Sequence, residues 1–322
     1  MSSSIGTVVK CSVFGESHGE AIGCVLDGLP AGEPIDMEEI YLQMGRRTPG
    51  FDRTSTPRKE SDTPHILSGM LDGRTTGAPL AVMIKNENVR SKDYGNIMSM
   101  PRPGHADYTA HVRYDGYNDV RGGGHFSGRL TAALVFAGAV CRQILRRKGI
   151  SIGGHVLEIH GVRDLELDPV NVDSKLLEDL ASRRFAVIDK AAEEKMRGEI
   201  EAARKGQDSV GGIIEAAAVG LPAGIGSPMF DGIENRLAAA LFGIPAIKGI
   251  EFGAGFGFAK MRGSEANDPF EFTKGGEVVT TSNNNGGILG GITSGMPVIL
   301  RVVVKPTSSI SLPQRTIDLV TG

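Results

Sequence analysis

The sequence predicts an α/β fold, of the α+β kind, built as an internally duplicated β-α-β sandwich. The phrase GLPAG occurs at Gly28–Gly32 and again at Gly220–Gly224. In each half an apolar run leads into this Gly-Pro turn and a helix, and later into a Gly-rich turn and another strand. We therefore expect one domain with pseudo-twofold symmetry, whose halves are residues 1–150 and 151–322.

The repeat can be followed through two separate blocks. SHGEAIGCVLDGLPAG from Ser17 aligns without gaps on SVGGIIEAAAVGLPAG from Ser209, and LDGRTTGAPLAVMIK matches LGGITSGMPVILRVV further on. Chance recurrence of a Gly-Pro turn is the alternative, and the conserved order of the blocks disfavours it. Val210 stands opposite His18 in this alignment, so the turn does not need an imidazole and we expect His18 to face a ligand.

The elements of each half follow from local patterns. The stretches PLAVMIK and PVILRVVV predict strands, because they are rich in branched residues and bounded by Gly or Pro. Asp36 with Glu39 three residues later predicts a capping box at a helix start. A long apolar helix is expected from about Gly128 to Lys148, buried in the core. Its apolar run, LTAALVFAGAVC, is too short to predict a membrane span.

Composition excludes several classes of protein. The chain has 322 residues, a net charge of -3, no Trp and 5% aromatic residues, which disfavours nucleic-acid or membrane-surface binding. Three scattered cysteines predict neither a disulfide framework nor a zinc site, and they indicate a reducing, cytoplasmic setting. GxGxxG, GxxxxGK[ST], HExxH and CxxC motifs do not occur, so no metal is expected.

Cations and hydroxyls gather in four loops instead, which are GRRTPGFDRTSTPRKE, RPGHAD, RGGGHFSGR and VVVKPTSS. Glycines let backbone N–H groups approach an anion, and guanidinium groups match phosphate oxygens in pairs. Ordinary polar surface loops are the alternative for any one of these stretches. Together they predict a site for a small polyanion, with His18 and His105 available for general acid/base chemistry.

The motifs resemble those of a known family. FGESHGEAIGCVLDGLPAG resembles the first signature of chorismate synthases, and RSKDY, RPGHADYT and RGGGHFSGR resemble its middle blocks. NNNGGILGGITSG and VKPTSSI resemble its flavin-binding blocks. The resemblance implies anti-1,4-elimination of phosphate from 5-enolpyruvylshikimate 3-phosphate to give chorismate, in a homotetramer that requires reduced FMN. It leaves open whether NADPH acts as an outside reductant.

The matching motifs also imply roles for individual residues. His18 would protonate the departing phosphate and His105 would support the charge of the reduced flavin, with Ser17 and Ser127 as polar groups of the site. The arginines implied to bind the substrate are Arg47, Arg53, Arg102 and Arg129, the first two of which are sometimes assigned to NADP. The residues implied to contact FMN are His125, Phe126, Ser127, Pro245, Ala246, Gly290, Lys305, Pro306, Thr307, Ser308 and Ser309.

Two departures from the family pattern keep alternatives open. The block usually written GGGRSSAR or GGGRASAR is GGGHFSGR here, and the RHDPC block expected after Gly322 is absent. We expect this chain to be a truncated form rather than a short natural form. A catalytically impaired flavin-binding or phosphometabolite-binding relative is the alternative function, and RNA binding through the basic loops is a weaker third.

Overall fold

The computed structural model describes residues 3–50, 54, 60–87 and 99–321. The chain divides into two compact units. The first comprises Met1–Gln143 with Ser308–Gly322, and the second comprises Ile144–Thr307. The division of a single domain into halves at residue 150 stays a prediction.

The first unit is built on a five-stranded antiparallel sheet with a small hairpin beside it. Its strands are β1 (Ser4–Ile5), β2 (Lys10–Gly15), β3 (Ala21–Asp27), β4 (Pro64–Ser68), β5 (Met70–Leu71), β6 (Arg74–Thr75) and β7 (Leu80–Lys85). The order in the sheet is β1-β2-β3-β7-β4, and β5 pairs with β6. Alternate residues Leu80, Val82 and Ile84 of β7 are buried, so one face of the sheet forms the core.

The first unit contains helices α1 (Met37–Arg47) and α2 (Asp107–Arg113), and helix α3 (Thr131–Arg147) begins in it and ends four residues after Gln143. A 3-10 turn at Gly128–Leu130 leads directly into α3, which confirms the long helix expected there. Phe136 and Val140 of α3 are completely buried. The apolar residues of α3 therefore belong to the protein core.

The apolar part of this helix is longer than the run Leu130–Cys141 that was judged too short for a membrane span. Gly128–Arg147 is continuous over 20 residues with a mean hydropathy of 1.3, and among the described residues it is the one helix long and apolar enough to cross a membrane. Length and composition alone make that match, and 56% of the segment is buried inside the protein. A buried core helix can meet the same criteria of length and hydropathy.

The capping box predicted at the start of α1 is present in part: the Asp36 side chain caps the helix, but Glu39 does not bond the N–H of Asp36. Asp36 caps the helix, because its carboxylate accepts from the N–H groups of Glu38 at 2.9 Å and Glu39 at 3.4 Å. The reciprocal bond of a capping box is replaced. The N–H of Asp36 donates to Oε1 of Gln143 at 2.8 Å, and Glu39 accepts from Arg142 at 2.9 Å. Helix α3 therefore completes the cap of α1 from outside.

The second unit contains a second five-stranded antiparallel sheet. Its strands are β8 (Ser151–Ile159), β9 (Val162–Arg163), β10 (Gly212–Val219), β11 (Ile247–Phe252) and β16 (Val298–Val304). Four short strands form two hairpins, β12 (Phe270–Phe272) with β13 (Val278–Thr280) and β14 (Ile288–Leu289) with β15 (Ile292–Thr293). The helices are α4 (Ser174–Leu180), α5 (Lys190–Lys205), α6 (Ile233–Phe242) and α7 (Gly263–Ala266).

The two sheets confirm the duplication. Strands β2-β3-β7-β4 of the first unit and β8-β10-β16-β11 of the second have the same order, and every pairing is antiparallel. A helix lies between the second and third of these four strands in chain order, which is α1 between β3 and β4 and α6 between β10 and β11. A short hairpin precedes the last strand in each unit, β7 in the first and β16 in the second. The predicted α/β class, of the α+β kind, is therefore confirmed.

A threonine fastens the same turn in both units. The hydroxyl of Thr75 donates to the carbonyl of Pro30 at 2.6 Å and accepts from the N–H of Glu33 at 2.9 Å. In the second unit Thr293 makes the same bonds to Pro222 at 2.7 Å and Ile225 at 2.9 Å. Both threonines are 3% exposed, and we call this arrangement the threonine clasp.

Candidate active site

The GESHG motif forms the turn between strands β2 and β3 of the first unit. Gly15 ends β2 with φ +94°, and a Cβ there would lie 2.3 Å from a backbone oxygen of β3, so the position requires glycine. The N–H of Gly19 donates to the carbonyl of Glu16 at 3.1 Å and closes the turn. Ser17 and His18, between these anchors, are 0% and 7% exposed.

The hydroxyl of Ser17 determines which nitrogen of His18 carries the proton. Its Oγ lies 3.3 Å from the carbonyl of Arg121, 3.1 Å from the carbonyl of Gly122 and 3.1 Å from Nδ1 of His18. Carbonyls only accept, so the hydroxyl donates to them and accepts a bond from Nδ1–H. In the neutral imidazole this arrangement places the proton on Nδ1.

Three consecutive glycines form the wall against which this imidazole lies. Gly122, Gly123 and Gly124 have φ of +59°, +86° and +52°. A Cβ on Gly122 would stand 2.0 Å from Cε1 and 2.1 Å from Nδ1 of His18, so a side chain would displace the ring. The carbonyl of Gly124 accepts from the N–H of Ser17 at 3.1 Å. The GESHG and RGGGHFSGR motifs, distant in sequence, therefore form one local structure.

His125 and Phe126 extend this local structure. Nδ1 of His125 donates to the carbonyl of Gly15 at 2.8 Å, and Nε2 hydrogen-bonds to the hydroxyl of Ser3 at 2.7 Å. Phe126 is 44% exposed and lies edge-on to Tyr114, with 6.2 Å between ring centroids. His125 thus holds the start of the GESHG turn, which is a structural contact that the sequence did not reveal.

A cavity of about 550 Å³ opens beside the turn. It is lined by Gly15, Glu16, Gly19, Glu20, Ala21, Met83 and His125. Gly15, Glu16 and Gly19 of the GESHG motif therefore face the cavity, while Ser17 and His18 are buried on the inner side of the turn.

Glu16 belongs to a charged group that sequence analysis did not assign. Burial raises the pKa of Glu16, and the neighbouring carboxyl of Asp119 raises it further. Hydrogen bonds from Arg121 at 2.9 and 2.7 Å lower the pKa of Asp119 to about 2. The two carboxyls therefore differ in proton affinity, and Glu16 is the one that holds a proton more readily.

Ser127 and Arg129 begin the 3-10 turn that leads into α3. The hydroxyl of Ser127 accepts from the N–H of Arg129 at 3.2 Å, so Ser127 caps the helix. The guanidinium of Arg129 is 1% exposed and donates inward, from Nε to Asn86 at 3.0 Å and from NH2 to the carbonyl of Lys85 at 3.1 Å. Its NH1 donates to the carboxylate of Asp62.

Asp62 joins two of the predicted substrate-binding arginines. Besides Arg129, it accepts from NH1 of Arg47 at 2.6 Å. Burial alone would raise the pKa of Asp62, but the hydrogen bonds and charges of both arginines outweigh it and hold that pKa below the usual range. Asp62 has φ +50°, an uncommon backbone conformation for a residue other than glycine. The pairing brings Arg47 and Arg129 together around one buried carboxylate.

Arg102 and His105 lie in the RPGHAD loop before α2. Arg102 is paired with Asp107 by two side-chain bonds, from Nε at 2.8 Å and NH2 at 2.9 Å. Nδ1 of His105 donates to the carbonyl of Pro103 at 3.1 Å, and Nε2 hydrogen-bonds to the hydroxyl of Ser309 at 2.9 Å. The structure therefore brings His105 together with one of the predicted flavin-binding serines.

The remaining members of the KPTSS motif divide between the two units. Ser308, in the first unit, donates its hydroxyl to the carbonyl of Gly104 at 2.8 Å. In the second unit the N–H of Lys305 donates to the carbonyl of Ala246 at 2.9 Å, so these two predicted flavin contacts are neighbours. The carbonyl of Thr307 accepts from the hydroxyl of Ser209 at 2.7 Å.

Pro245, Pro306 and Gly290 complete the predicted set in the second unit. Pro245 is exposed, and Pro306 packs near Gly211, where an added Cβ would lie 3.0 Å from its Cδ. Gly290 has φ +60°, and a Cβ there would meet nothing within 4 Å. Of the predicted arginines, Arg53 lies outside the described residues, as does the RSKDY motif.

Sequence reasoning missed Asn86, Asp62 and Asp119. Each is a single polar residue without a motif of its own, and its role depends on partners more than 40 residues away or on an arginine in a loop. The position of Asn86 directly after a predicted strand was the one available signal. Within residues 3–50, 54, 60–87 and 99–321, no group of three or more His, Cys, Asp or Glu side chains could hold a metal ion.

Comparison with known proteins gives a consistent result. A family model described as chorismate synthase matches residues 9–322. Chorismate synthase of Thermococcus kodakarensis is 50% identical over 314 residues, covering 98% of this chain and 86% of the relative. That of Dehalococcoides mccartyi is 46% identical over 319 residues, covering 99% of this chain and 86% of the relative.

A solved structure titled as a crystal structure of chorismate synthase is similar as well. It superposes with a TM-score of 0.78 at 32% identity, covering 93% of this chain and 84% of the other. These similarities favour chorismate synthase function, a lyase activity, over the impaired binding protein. The chain therefore belongs to the chorismate synthase family.

Proposed function

We propose that this chain eliminates phosphate and a ring proton from 5-enolpyruvylshikimate 3-phosphate to form chorismate, as a phosphate lyase that depends on reduced FMN. The observation that carries the proposal is the buried Ser17–His18 pair, in which the hydroxyl of Ser17 accepts from Nδ1–H, and we assign the exchange of the proton to Nε2. A departing phosphate needs a proton, and an imidazolium can supply one near neutral pH.

The arginines divide into two kinds in this proposal. The side chains of Arg47 and Arg102 are 19% and 30% exposed, so each can turn part of its guanidinium towards an anionic substrate. That of Arg129 is 1% exposed and donates to the protein interior. We infer that Arg129 supports the site by holding its neighbours, and that its positive charge adds to the local field.

The residues around His105 fit a reduced flavin. Ser308, Ser309 and His105 are hydroxyl and imidazole groups gathered at the RPGHAD loop, and such donors suit an anionic ring or a phosphate. In the second unit, Lys305 beside Ala246 and the open space at Gly290 also suit a phosphate-bearing cofactor. These residues would hold reduced FMN, which would supply transient electron density for the cleavage of the C–O bond.

An anaerobic assay tests the proposal. The protein is mixed with photoreduced FMN and 5-enolpyruvylshikimate 3-phosphate, and the growth of chorismate absorbance in the near ultraviolet is followed. We expect turnover by the wild-type chain and at least a tenfold loss in His18→Ala, since positioned proton transfer contributes about 10²–10⁴-fold. Absence of product from the wild-type chain with reduced flavin would refute the proposal.

His65 provides the matched control for that variant. It lies exposed on β4, whereas His18 is buried in the GESHG turn. We expect His65→Ala to keep wild-type turnover and His18→Ala to keep its thermal midpoint. A collapse of folding in His18→Ala would instead indicate a histidine that serves the core.

We further propose a homotetramer that works in the cytoplasm and receives reduced flavin from an outside reductant, NADPH being the candidate. The family supports the tetramer, and the three cysteines, which are free thiols in the structure, suit a reducing compartment. Light scattering after size-exclusion chromatography measures the oligomer. Oxidation of NADPH by the protein with FMN, followed by absorbance, measures whether the chain reduces flavin itself.

A further inference from the structure

Asn86 holds both ends of the GESHG turn. It follows the last residue of β7, and its Nδ2 donates to the carbonyls of Glu16 and Gly19, at 2.9 Å each. Its own N–H donates to the carbonyl of Glu20 at 3.1 Å. One side chain therefore connects the residue before Ser17 with the residue after His18.

The other end of the same amide faces the buried arginine. Oδ1 of Asn86 accepts from Nε of Arg129 at 3.0 Å. The orientation of the amide is unambiguous, because carbonyls only accept and a guanidinium only donates. Arg129 is in turn bonded to Asp62 and the carbonyl of Lys85, so the amide is anchored to a fixed group.

The turn is thus held from two sides. Gly122 and Gly124 contact His18 and Ser17 on one side, and Asn86 ties the turn backbone to Arg129 on the other. Removing the amide donors frees the two carbonyls on which the turn is closed, while the glycine wall stays in place. The position of the His18 ring relative to Ser17 is then less constrained on the side of Asn86.

We propose that Asn86 is a positioning residue that fixes the GESHG turn so that His18 keeps its Nδ1–H bond to Ser17. The proposal deepens the function proposed above and rests on it for its effect on turnover. Asn86 acts through the backbone of the turn and through Arg129. It does not need to touch substrate or flavin.

The variant Asn86→Asp tests this role. Aspartate keeps the size of asparagine and can still accept from Arg129, but it puts a carboxylate oxygen against two carbonyl oxygens. We expect kcat to fall about 10²-fold with KM little changed, because small displacements of a catalytic group have effects of this size. Asn86→Ala, which removes the donors without adding charge, should act in the same direction and serves if Asn86→Asp does not fold.

Gln143→Glu is the matched control. The amide of Gln143 is 1% exposed and bridges the backbone of Asp36, with Nε2 donating to its carbonyl at 2.9 Å. The change from amide to carboxylate is the same, in the same unit, but it lies at the α1 cap. We expect a comparable loss of thermal midpoint in both variants, and a loss of kcat in the Asn86 variant only.

Nitrogen-15 NMR of the histidine side chains gives a readout that needs neither substrate nor flavin. In the wild type and in Gln143→Glu we expect the neutral imidazole of His18 to carry its proton on Nδ1. In both Asn86 variants we expect a mixture of the Nδ1–H and Nε2–H tautomers. An unchanged His18 spectrum in the Asn86 variants would overturn the proposal. Wild-type protein without turnover would sink the proposed function, while the spectra would still decide the role of Asn86.

Discussion

The pairing of Ser17 with His18 has a direct chemical consequence. A hydroxyl that donates to two carbonyls can accept from only one tautomer of the neighbouring imidazole. Ser17 therefore selects the protonation pattern of His18 without taking part in proton transfer itself. A serine beside a histidine in sequence gave no indication of this, because adjacent side chains in a turn usually diverge.

Ser17→Ala tests this selection. Loss of the acceptor removes the reason for the proton to stay on Nδ1, so we expect both neutral tautomers of His18 in nitrogen-15 spectra and at least a tenfold loss of turnover. Ser17→Thr keeps a hydroxyl and provides the comparison. Retention of a single Nδ1–H tautomer in Ser17→Ala would contradict the argument.

Gly122 and Gly123 offer a matched pair of alanine variants. Both have positive φ, so both substitutions carry a similar backbone cost. Only at Gly122 would the new Cβ meet the His18 ring, at 2.0 Å, whereas at Gly123 its nearest neighbour is Cβ of Ser127 at 3.9 Å. We expect Gly122→Ala to lose more thermal midpoint than Gly123→Ala, because of the added overlap with the His18 ring, and to lose much more turnover. Equal turnover in the two variants would contradict the assignment of the glycine wall.

At the scale of elements, local patterns predicted what depends on local interactions. Strands β7 and β16, helix α3 and the Asp36 cap all follow from apolar spacing and single capping residues. The second arm of the capping box was wrong because Gln143, 107 residues away, supplies the acceptor instead. Periodicity carries no information about a partner on another helix, so the sequence could not reveal that exchange.

The threonine clasp gives a prediction at this scale. Thr75→Val keeps the shape of the side chain but removes the hydroxyl that bonds the carbonyl of Pro30 and the N–H of Glu33, which costs about 0.5–1.5 kcal/mol per hydrogen bond. Thr293→Val should cost a similar amount in the second unit. Denaturant unfolding measures both, and Thr→Ser at each position should restore most of the loss. A valine variant as stable as wild type would show that the clasp does not matter.

Across the whole molecule, several buried or paired carboxylates have lowered pKa values, among them Asp62, Asp107, Asp119 and Glu215. A carboxylate with a lowered folded-state pKa stabilises the fold above its ordinary pKa, near 4, and loses that contribution as the pH falls through the lowered value. We therefore expect the free energy of unfolding to fall between about pH 5 and pH 2, the latter being close to the pKa of Asp119.

Asp62→Asn isolates one part of this dependence. Asparagine tolerates the positive φ of Asp62, but it removes the carboxylate that pairs with Arg47 and one of the two carboxylates beside Arg129, which keeps Glu60 at 3.7 Å. We expect a cost of about 3 kcal/mol near neutral pH, at the lower end of the range for a broken buried ion pair. The difference from wild type should begin to shrink below about pH 4, where the unfolded chain takes up the proton, and should be lost as the pH falls through the lowered pKa of Asp62 in the folded state. Asp27→Asn, at the exposed end of β3, is the control. A difference that stays constant with pH would contradict this account.

The candidate site was predictable only in part. The sequence motifs identified the residues of the GESHG, RPGHAD and RGGGHFSGR loops, since glycines and paired polar residues mark such loops. They did not reveal that Arg129 points inward or that Asn86 and Asp62 complete the arrangement. Those contacts join positions 43 and 67 residues apart, and they depend on which strands and helices become neighbours in the fold.

The threonine clasp is present in both units, whereas the histidine of the candidate site is present in only one of the two turns. Both copies keep the threonine fastening, but the place of His18 is taken by Val210 in the second copy. The turn of the second unit therefore keeps the fastening without an imidazole, while the turn of the first unit must also position one for the proposed reaction. Val210→His would create a second serine–histidine pair with Ser209, and it would test whether the turn of the second unit can hold an imidazole as the first does.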